Sequence, residues 1–228
     1  MKNTNEKNIS FVILTYNHWD LCHQILFDLY EFNRDVLEVL VVNNGSTDVE
    51  YYQGMEWWRE SKMLPLRILE LDENIGFIRG CNAGVRASRG DIVILLSNDV
   101  RIRENITNKI VDVLSKSKSI VGGKYYLQST GWNDFEEKVF PYLEGWLLAF
   151  TRKAWEEIGG FDEIFIPNDY EDVDFSTKAL SLGYSLVELG SSKVLHIGSQ
   201  TLSYGAEREK LTIQNREKFR KKWVKNDR

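Results

Sequence analysis

The chain has 228 residues, of which 43% are hydrophobic and 12% aromatic, with a formal net charge of -5. That length and apolar content are enough to bury one sizeable core, so a single domain over 1–228 is expected. The acidic balance argues against nucleic acid as the main partner, because neutralising phosphates needs a basic surface, and the two cysteines, Cys22 and Cys81, lie far apart outside any CxxC pattern, which implies neither a disulfide framework nor a cysteine zinc site.

The N-terminal half repeats one unit: a short apolar run rich in β-branched residues, a polar turn, and a segment of helical periodicity. ISFVIL (9–14) precedes a predicted helix over 19–32, and LEVLVV (37–42) precedes another over 49–61. PLRILEL follows, then a helix over 77–88 with glycines four apart, then DIVILL (91–96). Strands apolar on both faces and separated by helices predict a parallel sheet covered on both sides. Ligands bind such sheets beyond the carboxyl ends of the strands, and polar tips follow three of the runs: TYN (15–17), NNGSTD (43–48) and SND (97–99).

The C-terminal half is less regular. Residues 124–142 read as an irregular excursion, EGWLLAF as an apolar run with a short helix after Thr151, and Gly159-Gly160 as a turn. A helix over 171–182 stopped by Gly183 comes next, with short strands near 184–188 and 194–197. From 207 to 228 nine basic residues face four acidic ones, a net +5 that leaves -10 for the rest. With Leu211, Ile213, Phe219, Trp223 and Val224 interleaved, this tail reads as a terminal helix docked on the domain, the alternative being a basic amphipathic helix on an anionic membrane. The opening MKNTNEKN lacks the apolar core of a signal peptide, and no apolar run approaches the roughly 20 residues of a membrane helix. A cytoplasmic location is expected, at most peripheral at the inner face of the plasma membrane.

Asp99 follows a buried strand, where a carboxylate can reach a hard cation seated on a diphosphate; such ions take oxygen ligands and commonly use one or two carboxylates. Ser-Asn-Asp is equally ordinary turn chemistry. His196, one of three histidines, is either structural or a ligand, since imidazole suits Mn²⁺. Glu171, Asp172 and Asp174 open a helix after Pro167-Asn168-Asp169, where the macrodipole favours carboxylates with no function required. A helix mouth beside a cleft also holds a general base rigidly toward a hydroxyl. In NNGSTD a ligand-facing turn is preferred to an Asn-Gly hairpin because the next segment is helical, with Ser46, Thr47 or Asp48 as N-cap. Gly76, Gly80 and Gly84 match neither GxGxxG nor GxxxxGK[ST] and allow close helix packing or backbone approach to a ligand. Arg79 either pairs with a phosphate or is solvated.

Taken in order, VILTYN, VVNNGSTD, NIGFIRGCNAG with GDIVILLSND, GGFDEIFIPNDYEDVDF and VLHIGSQT make the chain resemble the family 2 inverting glycosyltransferases from about Ile9 to Thr201. The resemblance implies an α/β fold of GT-A type: one Rossmann-like, mostly parallel sheet flanked by helices, with a small acceptor-side region and a terminal helix. A nucleotide-sugar-binding half would span 9–103, an acceptor and catalytic half 104–204, and the basic helix 205–228. It also implies a nucleotide diphosphate sugar as donor, a hydroxyl of a glycan, lipid-linked or protein-linked acceptor, inversion at the anomeric carbon, and Mn²⁺ or Mg²⁺. On this footing Asp99 becomes the metal ligand of a DXD-like motif and His196 a second one, while Asp172 is the base with Glu171 in reserve. Thr15, Tyr16 and Asn43 fall at the nucleobase and Asn98 at the ribose or diphosphate. Asn17, Gly45, Ser46, Asn74, Gly76, Arg79, Asn82 and Ser97 also fall on the donor side, Glu144 and Trp146 on the acceptor side. The setting implied is a bacterial glycan or surface polysaccharide pathway.

Two positions depart from the family pattern. Ser97 replaces the first DXD carboxylate, leaving Asp99 as the only charged member. Asn43 replaces the usual aspartate; its amide oxygen can accept from a pyrimidine N3–H but serves guanine less well, which favours UDP or dTDP over GDP. The competing readings are a nucleotidyltransferase, although no glycine-rich basic triphosphate loop is present, and a non-catalytic nucleotide-sugar-binding protein, against which the intact YEDVD stands. A homodimer through a sheet edge or the segments around Trp57-Trp58 and Trp132 is a further candidate, ordinary core or acceptor surface being the alternative.

Overall fold

A computed structural model of the protein describes residues 7–129, 138–198 and 206–224. Its first half alternates β1 (Lys7–Thr15), α1 (Trp19–Asn33), β2 (Val36–Asn44), α2 (Val49–Ser61), β3 (Leu66–Leu71), α3 (Phe77–Ala87) and β4 (Ile92–Ser97), each at its predicted place. Then follow β5 (Val100–Ile102), α4 (Thr107–Lys116), β6 (Ser119–Gly122), β7 (Tyr125–Ser129), β8 (Val139–Leu143), β9 (Leu147–Thr151), α5 (Arg152–Ile158), α6 (Glu171–Ser181), β10 (Ser185–Glu188), β11 (Val194–His196) and α7 (Ala206–Trp223). Seven strands make one sheet in the order β10-β6-β9-β4-β1-β2-β3. All run the same way except β9, which is antiparallel to both its neighbours.

Alternate residues of a strand face opposite sides of a sheet, and here each side is a core. Phe11, Ile13, Val39 and Val41 join Ile25, Tyr51 and Trp58 of α1 and α2 on one face. Val12, Leu14, Leu40 and Val42 join Ile78, Cys81 and Val85 of α3 on the other. The glycines of α3 let it lie almost on the strands: a Cβ at Gly84 would stand 2.6 Å from both Val12 and Val42, and one at Gly80 2.5 Å from Leu14. For these two glycines, close packing rather than approach to a ligand accounts for the spacing.

The segment between β4 and residue 124, which had no predicted elements, contains β5, α4 and β6. Strands of three and four residues carry too little alternation to be seen, but Ile106, Ile110 and Leu114, all buried, had the four-residue spacing that marks α4. The described parts of the predicted excursion over 124–142 are regular: β7 and β8 pair antiparallel from Tyr125↔Leu143 to Ser129↔Val139. Trp132 lies outside the described residues, while Trp58 is buried and Trp57 exposed.

The terminal helix α7 is docked. Phe219 is fully buried with its ring edge-on to Phe140 at 5.0 Å, and the buried Asn215 amide donates to the carbonyls of Phe165 and Asn168 at 2.7 and 2.8 Å. The Trp223 indole N–H donates to Asp174 at 2.7 Å, and Lys222 bridges Asp174 and Asp162. Among the described residues no helix is long and apolar enough to cross a membrane. Gly84→Ala is expected to destabilise the protein by about 1–3 kcal/mol through overpacking, measured as a lower denaturant midpoint at unchanged slope.

Candidate active site

The three polar tips meet at one edge of the sheet, tied by side-chain amides. Asn17 (φ 51) accepts from the backbone N–H of Thr47 at 2.8 Å, while its own N–H donates to the Ser46 hydroxyl at 2.8 Å. Asn44 donates to Asn74 at 3.0 Å and accepts from the Ile75 N–H at 3.0 Å, and Asn74 accepts from the Gly76 N–H at 3.0 Å. Gly45 (φ 74) packs against the backbone of Glu73, where a Cβ would meet the carbonyl carbon at 2.4 Å. Only glycine is compatible with both constraints. Thr15 is buried against the Tyr51 hydroxyl at 2.6 Å, whereas Tyr16 stands exposed at the edge.

Three donor-side expectations change. Asn43 is fully buried; its amide oxygen accepts from the Ser46 N–H at 2.9 Å and its NH₂ donates to Glu70 at 2.6 Å. It is enclosed by its own loop with its amide oxygen taken up by the Ser46 N–H, so the atom from which the pyrimidine preference was drawn is already engaged; its partner Glu70 is exposed at this edge. Asn82 is a structural clasp, giving and receiving hydrogen bonds with the Phe161 backbone at 2.9 and 3.1 Å. Arg79 is paired with Glu163 at 2.9 Å on the surface rather than simply solvated.

At the tip of β4, Asp99 is buried with its Oδ2 3.3 Å from Nε2 of His196. The two are brought together because β11 pairs antiparallel with β5, His196 opposite Val100. The neighbouring Asn98 is also buried, and its amide nitrogen has no hydrogen-bond partner. Ser97 donates its backbone N–H to the carbonyl of Trp146 at 3.0 Å. Trp146, expected at the acceptor, is instead 8% exposed, stacked on His196 with ring centres 5.2 Å apart and tied through its N–H to Glu144 at 2.6 Å. It orients the histidine rather than offering a free face.

On the other side of this loop, the Gly145 N–H donates to Asp172 Oδ2 at 3.1 Å and the Val173 N–H to Oδ1 at 2.8 Å. Asp172 and Glu171 open α6 on the wall of a cavity of about 780 Å³ between α6, β8 and α7. Burial, reinforced by the charges of Glu144 and Asp169 and opposed by the two backbone N–H groups, pushes the Asp172 carboxyl up to about 6. Burial, with Asp172 alongside, drives Glu171 well above the usual carboxylate range. Asp169 and Tyr170, immediately before the helix, both have left-handed φ, 72° and 74°, a strained arrangement for non-glycine residues. Thr212 and Arg208 of α7 hold the Asp169 carboxylate in place at 2.6 and 3.4 Å.

Asp99, His196, Asn98, Glu144, Asp172 and Glu171 thus converge, while Thr15, Asn17, Gly45, Ser46, Asn74 and Gly76 build the donor-side loops behind Tyr16. Asn44, Glu70, Asp169 and the α7 residues Arg208 and Thr212 also shape the site and were not singled out from the sequence. Glu70 and Asn44 stood at strand ends, a usable signal; the α7 residues carried none, because a helix surface reveals its neighbour only once docked.

The sequence pattern of glycosyl transferase family 2 matches residues 10–169. Among known proteins, the uncharacterised glycosyltransferase YwdF of Bacillus subtilis (strain 168) is 28% identical over 225 residues, covering 86% of this chain and 81% of the relative. The structure of the mannosyltransferase PcManGT from Pyrobaculum calidifontis in complex with GDP-Man and Mn²⁺ superimposes with a TM-score of 0.64 at 22% identity, over 81% of this chain and 55% of that one. GalNAc-T7 with UDP, GalNAc and Mn²⁺ gives a TM-score of 0.75 at 14% identity, over 94% of this chain and 48% of that one. The chain therefore spans about half the length of each of these two solved enzymes, and the shared fold is GT-A.

The raised Asp172 carboxyl has a consequence for stability. Between the ordinary value of 3.8 and about 6, the folded protein binds more protons here than the unfolded chain, so this group's contribution makes stability fall as pH rises through that window and stay flat above it. Asp172→Asn is expected to raise the melting temperature relative to wild type at pH 7.5, with the gain disappearing near pH 4 in thermal unfolding.

Proposed function

This chain belongs to glycosyl transferase family 2, and from that premise we propose that it moves one sugar from a nucleotide diphosphate donor to an acceptor hydroxyl with inversion at the anomeric carbon. The observation that carries the reading is the loop Glu144-Gly145-Trp146, which touches the Asp172 carboxylate with one residue and stacks on His196, the partner of Asp99, with the next. A proton acceptor and a diphosphate-binding pair are thereby held on opposite sides of one rigid turn.

Asp172 removes the acceptor proton. It is partly exposed to the cavity, and a carboxyl with a value near 6 is ionised at neutral pH yet more basic than an ordinary aspartate. The Gly145 and Val173 N–H groups fix its orientation. One displacement by the activated hydroxyl, opposite the leaving diphosphate, inverts the centre. Glu171, buried and driven well above the usual carboxylate range by burial with Asp172 alongside, is the weaker candidate for the base.

The donor set suits a divalent cation. Atoms of Asp99 and His196 lie 3.3 Å apart, close to the roughly 3 Å between adjacent ligands of an ion that holds each at about 2.1 Å. Among the described residues no group of three or more His, Cys, Asp or Glu is placed to hold a metal ion, so these two would share the ion with water and phosphate oxygens. Both solved relatives carry Mn²⁺ with their nucleotide, which supports a divalent ion here without separating Mn²⁺ from Mg²⁺. When bound, the ion neutralises charge developing on the leaving diphosphate. The buried Asn98 amide supplies a donor for a ribose hydroxyl or phosphate oxygen. One solved relative holds GDP-Man and the other UDP, and with Asn43 enclosed the choice of base stays open between them. A cytoplasmic role in bacterial glycan assembly is the proposed setting, supported by the family resemblance.

Asp172→Asn should lower kcat by roughly 10²-fold or more while calorimetry shows donor binding retained; full turnover in this variant would remove the base assignment. In wild type, kcat/KM should fall on the acid side with a midpoint near 6. Asp99→Asn should abolish the difference in donor affinity between Mn²⁺ and EDTA.

A further inference from the structure

We propose that the cavity between α6, β8 and α7 is an acceptor subsite built for a polyhydroxylated sugar without negative charge, with the C-terminal helix as its outer wall. The inference rests on the reading of Asp172 as the base, whose carboxylate lines the cavity.

The cavity's volume, about 780 Å³, lies in the roughly 300–1,000 Å³ range of small-molecule sites. Its polar lining is dominated by proton acceptors. Asp169, Asp172 and Glu209 contribute carboxylates, and the one guanidinium, Arg208, is engaged with Asp169 at 3.4 Å. Glu171 is 6% exposed, lines the same space, and its Oε2 has no hydrogen-bond partner. A buried polar atom without a partner is costly unless something supplies one, and sugar hydroxyls are donors of the right kind. Tyr142 and Tyr170 line the wall, and Tyr142 is braced by Tyr126 stacked at 5.9 Å and 29°. An aromatic face beside hydroxyl acceptors matches a sugar ring, which has apolar C–H faces and a polar rim.

A carboxylate or phosphate on the ligand would meet the carboxylates of Asp169, Asp172 and Glu209 against the single guanidinium of Arg208 in the lining, an excess of like charge. The helix α7 contributes Glu209 and Thr212 directly and sets the Asp169 carboxylate through Thr212 at 2.6 Å. The terminal helix therefore selects the acceptor as well as covering the core.

The test is an NMR titration of the full chain with methyl β-glucoside and methyl β-glucuronide, using wild type and Glu209→Lys. Glu209 is exposed on α7, so the substitution spares the fold, which the spectrum itself verifies. Wild type should bind the glucoside at least about tenfold more tightly than the glucuronide, and Glu209→Lys should narrow that ratio severalfold. Three results would overturn the proposal: glucuronide binding as tightly as glucoside, no response of the ratio to Glu209→Lys, or no glycoside binding at all. Because binding is read without turnover, an active Asp172→Asn enzyme would sink the base assignment while leaving these affinities in place.

Discussion

The geometry of the site depends on the reversed direction of β9. Every other strand of the main sheet runs toward the edge where β1, β2 and β4 end, so only an antiparallel strand can begin there. Its first turn, Glu144 to Trp146, is consequently delivered to the strand tips, and the Trp146 carbonyl accepts from Ser97 beside Asp99. A strand of the same length running the other way would start at the opposite edge, about 17 Å distant. The turn also needs room: a Cβ at Gly123 would stand 1.9 Å from the Trp146 indole, so glycine at the end of β6 is what admits the ring that orients His196. Through this turn the metal-binding pair and the base are positioned by one piece of backbone.

Within the first four residues of α6, three carboxylates have three roles, set by surroundings rather than by sequence. Glu171 is buried beside Asp172 and driven well above the usual carboxylate range. Asp172 is partly open to the cavity, restrained by two N–H groups, and poised near neutrality. Asp174 is fully buried but faces Lys178 and Lys222 and accepts from the Trp223 indole, so its charge fastens α7. Opposite charge and hydrogen bonds favour the ionised form, while burial beside another carboxylate opposes it. The macrodipole of a helix N-terminus would treat all three alike, and does not distinguish them.

Much of the first half was legible because its signals are local. Apolar runs of six or seven residues, three of them with polar tips and the first three followed by a helical period, specify β1 to β4 and the edge where ligands approach; Asp99 at the tip of β4 and Asp172 at the start of α6 were singled out once the family motifs were matched. The weaker elements, β5, β6 and β7, are only three to five residues long and depend on their neighbours for stability, so their own residues barely announce them.

The sequence by itself determined the doubly covered sheet, the helix α6 with its acidic opening, and the identity of the residues around Asp99, because alternation and helical periodicity are properties of neighbouring residues. Only the tertiary structure decided that Asn43 is closed off by Ser46 and Glu70, that Asn82 clasps Phe161, that Trp146 supports His196, and that α7 walls the cavity beside Asp172. Each of those outcomes depends on groups distant in the chain meeting in space and on which of them remain exposed to water, and that competition for partners is settled only when the core closes.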